Sequence, residues 1–156
     1  MQESLPKTSI DWLCSKFESL STAELYEILR LRAEVFVVEQ DCPYQDLDGK
    51  DQLAFHLLGL VDSSICCYSR LLPPGVSYPE ASIGRVVTSS FVRGGGFGRQ
   101  LLQESIRQCH HLWPGHGITI SAQHHLEKFY QDFGFLTKSE PYPEDGIPHI
   151  KMQLIP

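Results

Sequence analysis

Four glycines within five residues, Gly94 to Gly96 and Gly98, separate an apolar segment from an amphipathic one and constrain this chain more than any other feature. Ala81–Thr88 is apolar and β-branched and predicts a buried strand, and Phe97–Leu112 repeats apolar side chains at helical spacing and predicts a helix. Glycines adopt positive φ and let a ligand contact the backbone, and the start of a helix presents unpaired N–H groups. The segment therefore predicts a phosphate- or pyrophosphate-binding loop, with a flexible glycine turn as the alternative.

The rest of the chain alternates between strand and helix signals. Ser21 and Glu24 form a capping box that begins a helix running to about Val37, and Asp41–Asp51 is polar and predicts a loop. A short helix over Leu126–Phe133 is also predicted, together with strands over Ile10–Phe17, Ala54–Val61, Ile65–Leu72, Ile118–Ala122, Leu136–Ser139 and Ile147–Ile155. With 156 residues and no repeat or linker, the chain predicts one α/β (α+β) domain over residues 1–156, built on a mixed sheet.

Charge and composition argue against several classes of function. Thirteen Lys and Arg residues against nineteen Asp and Glu residues give a net charge of −6, which argues against binding a nucleic-acid backbone. No apolar stretch approaches the ~20 residues of a membrane span, and Met1–Ile10 has no apolar signal region, so we expect a cytoplasmic protein without membrane partners. Five cysteines without framework spacing predict reduced thiols, and adjacent histidine pairs without zinc spacing predict no metal site.

The spacing of the glycines narrows the choice of phosphate ligand. A dinucleotide-binding pattern would need a further glycine at Arg99 or Leu101, and the one Gly-Lys pair, Gly49-Lys50, lacks the upstream glycine of a P-loop. The pattern that fits is Arg93-x-x-Gly96-x-Gly98, which resembles the acetyl-CoA motif of the GNAT N-acetyltransferase superfamily. We therefore interpret the loop as a candidate binding site for acetyl-CoA.

Further segments resemble the same superfamily. The strand at Ile118–Ala122 and the following Gln123–Phe135 resemble its next strand, helix and terminal Gly-Phe, with Tyr130 at the position of the general-acid tyrosine. A tyrosine that only packs on the sheet is the alternative for Tyr130. Residues 32–40, 42–49 and 144–150 resemble the ElaA-like branch of the superfamily, so the resemblance spans nearly the whole chain. Gln123 and Leu126 depart from it, since many members have Asn and Ala there.

The resemblance implies a GNAT-like, mixed and splayed central sheet flanked by helices, and an enzyme that transfers the acetyl group of acetyl-CoA to a primary amine by direct attack. The backbone of Val86, Val87 and Thr88 would pair with the pantetheine arm, and an N–H near Val86 or Val87 would face the thioester oxygen. The implied acetyl-CoA-binding residues are Val86, Val87, Thr88, Arg93, Gly94, Gly95, Gly96, Phe97, Gly98, Arg99 and Gln123.

The reaction requires two proton transfers. An alkylamine resembles Lys, with a pKa of ~10.4, so on the order of one molecule in a thousand is neutral at pH 7 and a group must accept its proton. The candidate acceptors are Glu39, which is favoured because it follows an apolar run, and His56, Asp48 and His149, which are also candidate substrate-binding residues. Ordinary polar surface is the alternative for each of the four. Tyr130 stays protonated at neutral pH because the ordinary pKa of tyrosine is ~10, and it can donate to the leaving thiolate.

The acceptor and the partners remain open at this stage. Loop carboxylates at Asp41, Asp46, Asp48, Asp51, Glu144 and Asp145 predict an acidic mouth that attracts ammonium groups, or else only solvated loops. Two other functions are a non-catalytic acyl-CoA-binding sensor or assembly module on the same fold, and a nucleotide-phosphate binder of another class. Apolar residues exposed on the late strands would indicate a homodimer.

Overall fold

The computed structural model describes residues 9–156, which form two antiparallel sheets and three α-helices. The first sheet has the order β1 (Asp11–Lys16), β2 (Phe55–Val61), β3 (Ser64–Leu72) and β4 (Ser82–Thr88). In the second sheet, β8 (Ile147–Leu154) pairs with β5 (Ile118–Gln123), β6 (Leu136–Thr137) and β7 (Tyr142–Glu144). The helices are α1 (Thr22–Arg32), α2 (Phe97–Leu112) and α3 (Glu127–Gln131). All eight predicted strand and helix segments after α1 therefore have a counterpart, although Leu136–Ser139 is reduced to two paired residues, and β7 is the one strand that the sequence does not predict.

Two expectations concern the membrane and the chain start. No helix within residues 9–156 is long and apolar enough to cross a bilayer. The segment Met1–Ile10, for which no signal region is predicted, falls almost wholly in residues 1–8, outside the described residues.

The two sheets are joined at a single point and diverge beyond it. Ala81 forms a parallel bridge with Ile118, in which the Ala81 amide donates to Gly117 O at 3.1 Å and the Thr119 amide donates to Ala81 O at 2.8 Å. Among the described residues, β4 and β5 have no further backbone pairing, so the edge of β4 that follows Ala81 is open. This confirms the predicted α+β fold with a splayed sheet.

A bulge interrupts β4 beyond the bridge to β5. Two steps along β3, from Tyr68 to Arg70, face three steps along β4, from Val87 to Gly84, so β4 has one extra residue. Arg85 lies at this point with φ of 52°, a backbone conformation that costs energy in a residue with a Cβ. The sequence predicts an uninterrupted strand here. It does not reveal the bulge, because Arg85 is held by hydrogen bonds to Asp46 in a loop that is distant along the chain.

Helix α1 begins as predicted but changes geometry before its end. The Ser21 hydroxyl accepts from the Glu24 amide at 3.0 Å and the Glu24 carboxylate accepts from the Ser21 amide at 2.8 Å, which is the predicted capping box. The α-helix ends at Arg32, and Ala33–Glu39 continues as a π-helical segment instead of running as α-helix to Val37. A π-helix changes the angular spacing of side chains, which α-helical periodicity does not reveal.

The helices cover opposite faces of the first sheet. Ile28 and Leu31 of α1 pack against one face, at Leu58 and Tyr68. On the other face, α2 packs against the alternate residues of the same strands, and the second sheet shares this larger core, whose buried members include Leu57, Leu71, Ile83, Leu101, Leu102, Ile120, Tyr130, Phe135, Ile150 and Met152. Successive residues of β2, such as Leu57 and Leu58, point to opposite faces of the sheet, and both faces are covered. This explains why the sequence of β2 is a nearly continuous apolar run.

A largely buried network of three arginines and three aspartates holds the 41–51 loop against the core. Its members are Arg32, Arg70, Arg85, Asp46, Asp48 and Asp51. Arg32 is fully buried and donates to Asp46 at 2.9 Å and to Asp51 at 2.7 Å. Arg70 donates to Asp51 at 3.1 Å and to both carboxylate oxygens of Asp48, at 2.7 and 2.8 Å. Burial alone would raise the pKa of Asp51, but the hydrogen bonds and charges of Arg32 and Arg70 outweigh it and hold that pKa below its usual value. The loop is therefore held by charge-assisted contacts.

We predict that Arg32→Met lowers the free energy of unfolding by about 3–5 kcal/mol, because it leaves the buried carboxylates of Asp46 and Asp51 short of a partner. The matched control is Arg30→Met, because Arg30 lies on the same helix in an exposed ion pair, 3.6 Å from Glu27, and we expect it to change the free energy by less than about 1 kcal/mol. Urea unfolding of both variants measures the difference, and equal effects would show that the network does not stabilise the fold.

Candidate active site

A cavity of about 800 Å³ opens where β4 and β5 diverge. Its floor is formed by the two strand ends, at Ile83–Thr88 and Ile120–Gln123, and its far wall by Tyr130. The remaining walls come from the π-helical segment, the 40–50 loop and the turn between β7 and β8; they include Glu39, Gln40, Cys42, Tyr44, Asp48, Lys50, Arg93, Glu144, Asp145, Ile147 and His149. Residues from most of the chain therefore meet at one site.

The glycine loop lies exposed beside this cavity. Gly94 and Gly96 have φ of 86° and 79°, and a Cβ built at Gly94, Gly96 or Gly98 would meet no atom within 4 Å. Gly96 precedes the first residue of α2, and no side chain of the described residues caps that helix end. The backbone at the start of α2 is therefore accessible, as a pyrophosphate group requires.

Arg93 and Arg99, at either end of the loop, have different surroundings. The Arg93 guanidinium donates to the Glu39 carboxylate at 2.7 Å and to Thr88 O at 3.2 Å, so it connects the loop to the π-helical segment and to the end of β4. The Arg99 guanidinium lies 3.5 Å from the Asp132 carboxylate and over the Phe133 ring, so its side chain faces α3. Only Arg93 of the two lines the cavity.

Tyr130 belongs both to the core and to the cavity wall. Its ring packs edge-on against Phe129 and Phe135 and is 7% exposed, and its hydroxyl has no hydrogen-bond partner within residues 9–156. Burial raises the pKa of Tyr130 to about 12. Complete proton transfer from Tyr130 to a thiolate, whose ordinary pKa is ~8.5, is therefore less favourable than the ordinary tyrosine pKa implies.

Three of the candidate proton acceptors are already engaged. His56 does not line the cavity: it is fully buried, with one ring nitrogen 2.7 Å from the Tyr68 hydroxyl and the other 2.9 Å from Asp51 O. A substrate therefore has no access to His56, which corrects its assignment as a substrate-binding residue. Asp48 lines the cavity, but its carboxylate is bound by both terminal nitrogens of Arg70, and Glu39 is paired with Arg93.

The arginine network also changes the expected charge of the mouth. Burial alone would raise the pKa of Asp48, but Arg70 outweighs it and holds that pKa well below its usual value, so Asp48 stays ionised and paired. Asp46 receives hydrogen bonds from Arg32 and Arg85. Of the six carboxylates predicted to form an acidic mouth, Asp48, Glu144 and Asp145 line the cavity, and because Asp48 is paired with Arg70, the mouth is reduced to Glu144 and Asp145.

His149 is the fourth candidate and reaches the cavity. Its Nδ1 lies 2.7 Å from Ile147 O, its Nε2 lies 3.2 Å from the Glu144 carboxylate, and its ring stacks on Tyr142. Ser121, on the adjacent strand, is 2.5 Å from the Tyr142 hydroxyl and within 3.4 Å of Glu144. The sequence contains no local signal for Ser121 and Tyr142, because the pairing of β5 and β7 with β8 brings them together.

The remaining predicted residues lie at the splay. Val86, Val87 and Thr88 line the cavity on the open edge of β4, and Gln123 lines it at the end of β5 with its amide 3.4 Å from that of Gln40. Gly95 lies in the exposed loop next to the cavity, and Phe97 is the half-buried first residue of α2; a Cβ on Gly95 would approach the Phe97 ring at 2.7 Å. Within residues 9–156, no group of three or more His, Cys, Asp and Glu side chains has the arrangement of a metal site.

Known proteins resemble this chain over most of its length. The model of the "Acetyltransferase (GNAT) domain" family matches residues 30–156. Protein ElaA of Escherichia coli strain K12 is 43% identical over 145 residues, which cover 92% of this chain and 95% of ElaA. The crystal structure of E. coli ElaA superimposes with a TM-score of 0.88 at 42% identity and covers 94% of this chain and 99% of its own.

A crystal structure of an acyl-CoA N-acyltransferase from Pseudomonas aeruginosa superimposes with a TM-score of 0.90 at 44% identity, and covers 94% of this chain and 99% of that one. These similarities confirm the resemblance predicted from the glycine motif and the three ElaA-like segments. The chain therefore belongs to the GNAT acetyltransferase family and has ElaA among its relatives.

Proposed function

We propose that this chain is a single-domain N-acetyltransferase that transfers the acetyl group of acetyl-CoA to a primary amine. The observation that carries the proposal is a cavity that extends from the open edge of β4, beside the exposed glycine loop, to the Tyr130 ring. This arrangement suits an elongated donor whose charged end and reacting end lie far apart. The printed name of the P. aeruginosa relative, an acyl-CoA N-acyltransferase, supports the same class of donor.

The donor end of the site is proposed to bind through backbone groups. The N–H groups of residues 94–99 would hold the pyrophosphate, because the start of α2 has unpaired amides and the glycines leave them accessible. The open edge of β4 at Val86, Val87 and Thr88 would pair with the pantetheine arm as an added strand, and Gln123 lies across from it. Acetyl-CoA supplies the activated thioester, and an N–H near Val86 or Val87 would stabilise its oxyanion.

Tyr130 is proposed to act on the leaving thiolate. Its hydroxyl has no partner among the described residues, so it is free to donate a hydrogen bond to a group in the cavity. Because its pKa is raised to about 12, the phenol is neutral throughout the physiological range and stabilises the thiolate as a hydrogen-bond donor more readily than it gives up its proton completely.

The first experiment compares ligands by thermal shift and then measures thiol release. We expect acetyl-CoA and CoA to raise the Tm, and ATP and NAD to have little effect, because only the first two contain pantetheine. We further expect amine-dependent release of CoA from acetyl-CoA across a panel of primary amines. Binding of CoA without thiol release would support the sensor alternative, and equal shifts with ATP or NAD would support a different nucleotide-phosphate binder.

A substitution in the glycine loop tests the pyrophosphate site. Gly98→Val should weaken acetyl-CoA binding by at least about tenfold, because a β-branched side chain would extend into the open space in front of the helix start, where a Cβ meets no atom within 4 Å. The matched control is Gln103→Val, which introduces the same side chain at an exposed position of the same helix. Isothermal calorimetry measures both affinities, and an unchanged affinity in Gly98→Val would refute the loop as the pyrophosphate site.

Removal of the Tyr130 hydroxyl tests its role towards the leaving thiolate. Tyr130→Phe should lower kcat about 10²-fold with little change in acetyl-CoA affinity, because the aromatic packing is kept and only the hydroxyl is lost. Since the pKa of Tyr130 is about 12, it is protonated on both sides of neutrality, and the ratio of wild-type to variant rates should be constant from about pH 6 to 10. The control is Tyr26→Phe at an exposed tyrosine of α1, and a full-rate Tyr130→Phe enzyme would remove the assignment.

A further inference from the structure

We infer that His149, paired with Glu144, binds the ammonium group of the acceptor and accepts its proton, so that the acceptor class is alkylammonium compounds. This inference rests on the proposed function, and it names the group that prepares the acceptor for attack. His149 takes the role for which the sequence favours Glu39, because the Glu39 carboxylate is paired with Arg93.

The hydrogen bonds of His149 define which of its nitrogens is free to work. Nδ1 lies 2.7 Å from Ile147 O, and a carbonyl oxygen only accepts, so Nδ1 carries a hydrogen. In the neutral ring Nε2 is then an acceptor, and it lies 3.2 Å from the Glu144 carboxylate, which is also an acceptor. Two acceptors that face each other are satisfied by a shared cation, which is either a proton on Nε2 or the N–H groups of an ammonium ion.

The position of this pair suits an incoming amine. His149 and Glu144 both line the cavity, as do Ser121 and Tyr130. His149 pairs with Gln123 across β5 and β8, so its ring lies at the strand end next to the splay. The His149 ring is buried, whereas the Glu144 side chain is 48% exposed, so the pair connects the interior of the cavity with solvent. A proton taken from the acceptor therefore has a route out of the protein.

The charged and titratable groups around the pair favour a cation. Glu144 and Tyr142 lie on β7, Asp145 lies in the adjoining turn, and Lys151 lies two residues along β8. The Lys151 ammonium is 5.2 Å from the centre of the Tyr78 ring, and Tyr78 in turn interacts with Tyr142 and Glu144. The Lys50 ammonium, on the 40–50 loop, is held by the Ser77 hydroxyl at 2.8 Å. The charge nearest the His149 ring is therefore negative, because the Glu144 carboxylate lies 3.2 Å from Nε2 while both ammonium groups are held at Tyr78 and Ser77.

The other candidate proton acceptors are either paired with an arginine or buried in the core. The Glu39 carboxylate lies 2.7 Å from Arg93 in an ion pair at the glycine loop, which is the donor end of the site. Asp48 is bound by both terminal nitrogens of Arg70, and His56 is sealed in the core. Among the candidate acceptors, only His149 combines access to the cavity with a ring nitrogen that faces another acceptor.

The proton balance of the proposed step closes without a further reactant. The ammonium group gives one proton to His149 Nε2, and the resulting imidazolium is held between Ile147 O and the Glu144 carboxylate. The neutral amine forms the new C–N bond as the C–S bond breaks, and the second proton of its nitrogen ends on the CoA thiol. His149 then releases its proton to solvent past Glu144, so the sum is ammonium plus acetyl-CoA to amide, CoA thiol and one proton.

The test uses two acceptors of nearly equal size, ethylamine and 2,2,2-trifluoroethylamine, at pH 7. Ethylamine is almost entirely an ammonium ion at this pH, whereas the fluorines make trifluoroethylamine mostly neutral, so only ethylamine needs a base. His149→Asn keeps a side-chain N–H near the position of Nδ1 and removes Nε2. We expect this variant to lower kcat/KM for ethylamine about 10²-fold and to leave kcat/KM for trifluoroethylamine nearly unchanged.

Companion variants identify the cause of any loss. Glu144→Gln should show the same selectivity to a smaller extent, and Glu140→Gln, an exposed glutamate between β6 and β7, is the matched control. Equal losses with both amines in His149→Asn would overturn the inference, because a structural role does not discriminate between them. A selective loss in Glu39→Gln without one in His149→Asn would overturn it in favour of Glu39. If the wild type binds acetyl-CoA but releases CoA with neither of these amines nor any other amine of the panel, the proposed function itself fails.

Discussion

The single backbone bridge between Ala81 and Ile118 is the constraint on which the rest of the molecule depends. This bridge is the one backbone pairing between the sheets among the described residues, while a shared apolar core packs them together, and the absence of further pairing between β4 and β5 opens the cavity. An open strand edge in a protein interior would normally be covered or paired, because unpaired backbone groups are costly when buried. Here the edge faces a solvent-filled cavity, where a ligand with amide groups of its own can take the place of a strand.

The arginine–aspartate network keeps this cavity open from the other side. The 41–51 loop contributes few apolar side chains, and its position depends on Arg32 from α1, Arg70 from β3 and Arg85 from the bulge of β4. Arg85 has a strained backbone, and two hydrogen bonds to Asp46 oppose its relaxation. The same contacts neutralise the loop aspartates, so the structural role of these carboxylates removes them from the charge that an acceptor meets.

Local patterns were sufficient to predict the parts of the site that one segment builds. The glycine loop between β4 and α2 and the position of Tyr130 follow from contiguous residues, and so does the capping box at Ser21. The bulge at Arg85, the burial of His56 and the pairing of His149 with Glu144 depend on contacts between distant segments. A single sequence carries no record of such contacts, which is why Asp48 and His56 were assigned to substrate binding although arginine and backbone partners already occupy them.

Burial gives the two ends of the proposed reaction opposite requirements. At Tyr130 an apolar environment raises the pKa to about 12, which keeps the phenol protonated but makes complete proton transfer to a thiolate costly. The neutral phenol of Tyr130 still donates a hydrogen bond to the leaving thiolate. Unlike a tyrosinate, it carries no negative charge that would hold the acceptor in its ammonium form. At His149 the Glu144 carboxylate lies 3.2 Å from the ring, and in the proposed reaction this pair would bind the ammonium group of the acceptor and take its proton. In the proposed reaction, the acceptor would bind beside His149 as an ammonium ion and would attack the thioester as a neutral amine.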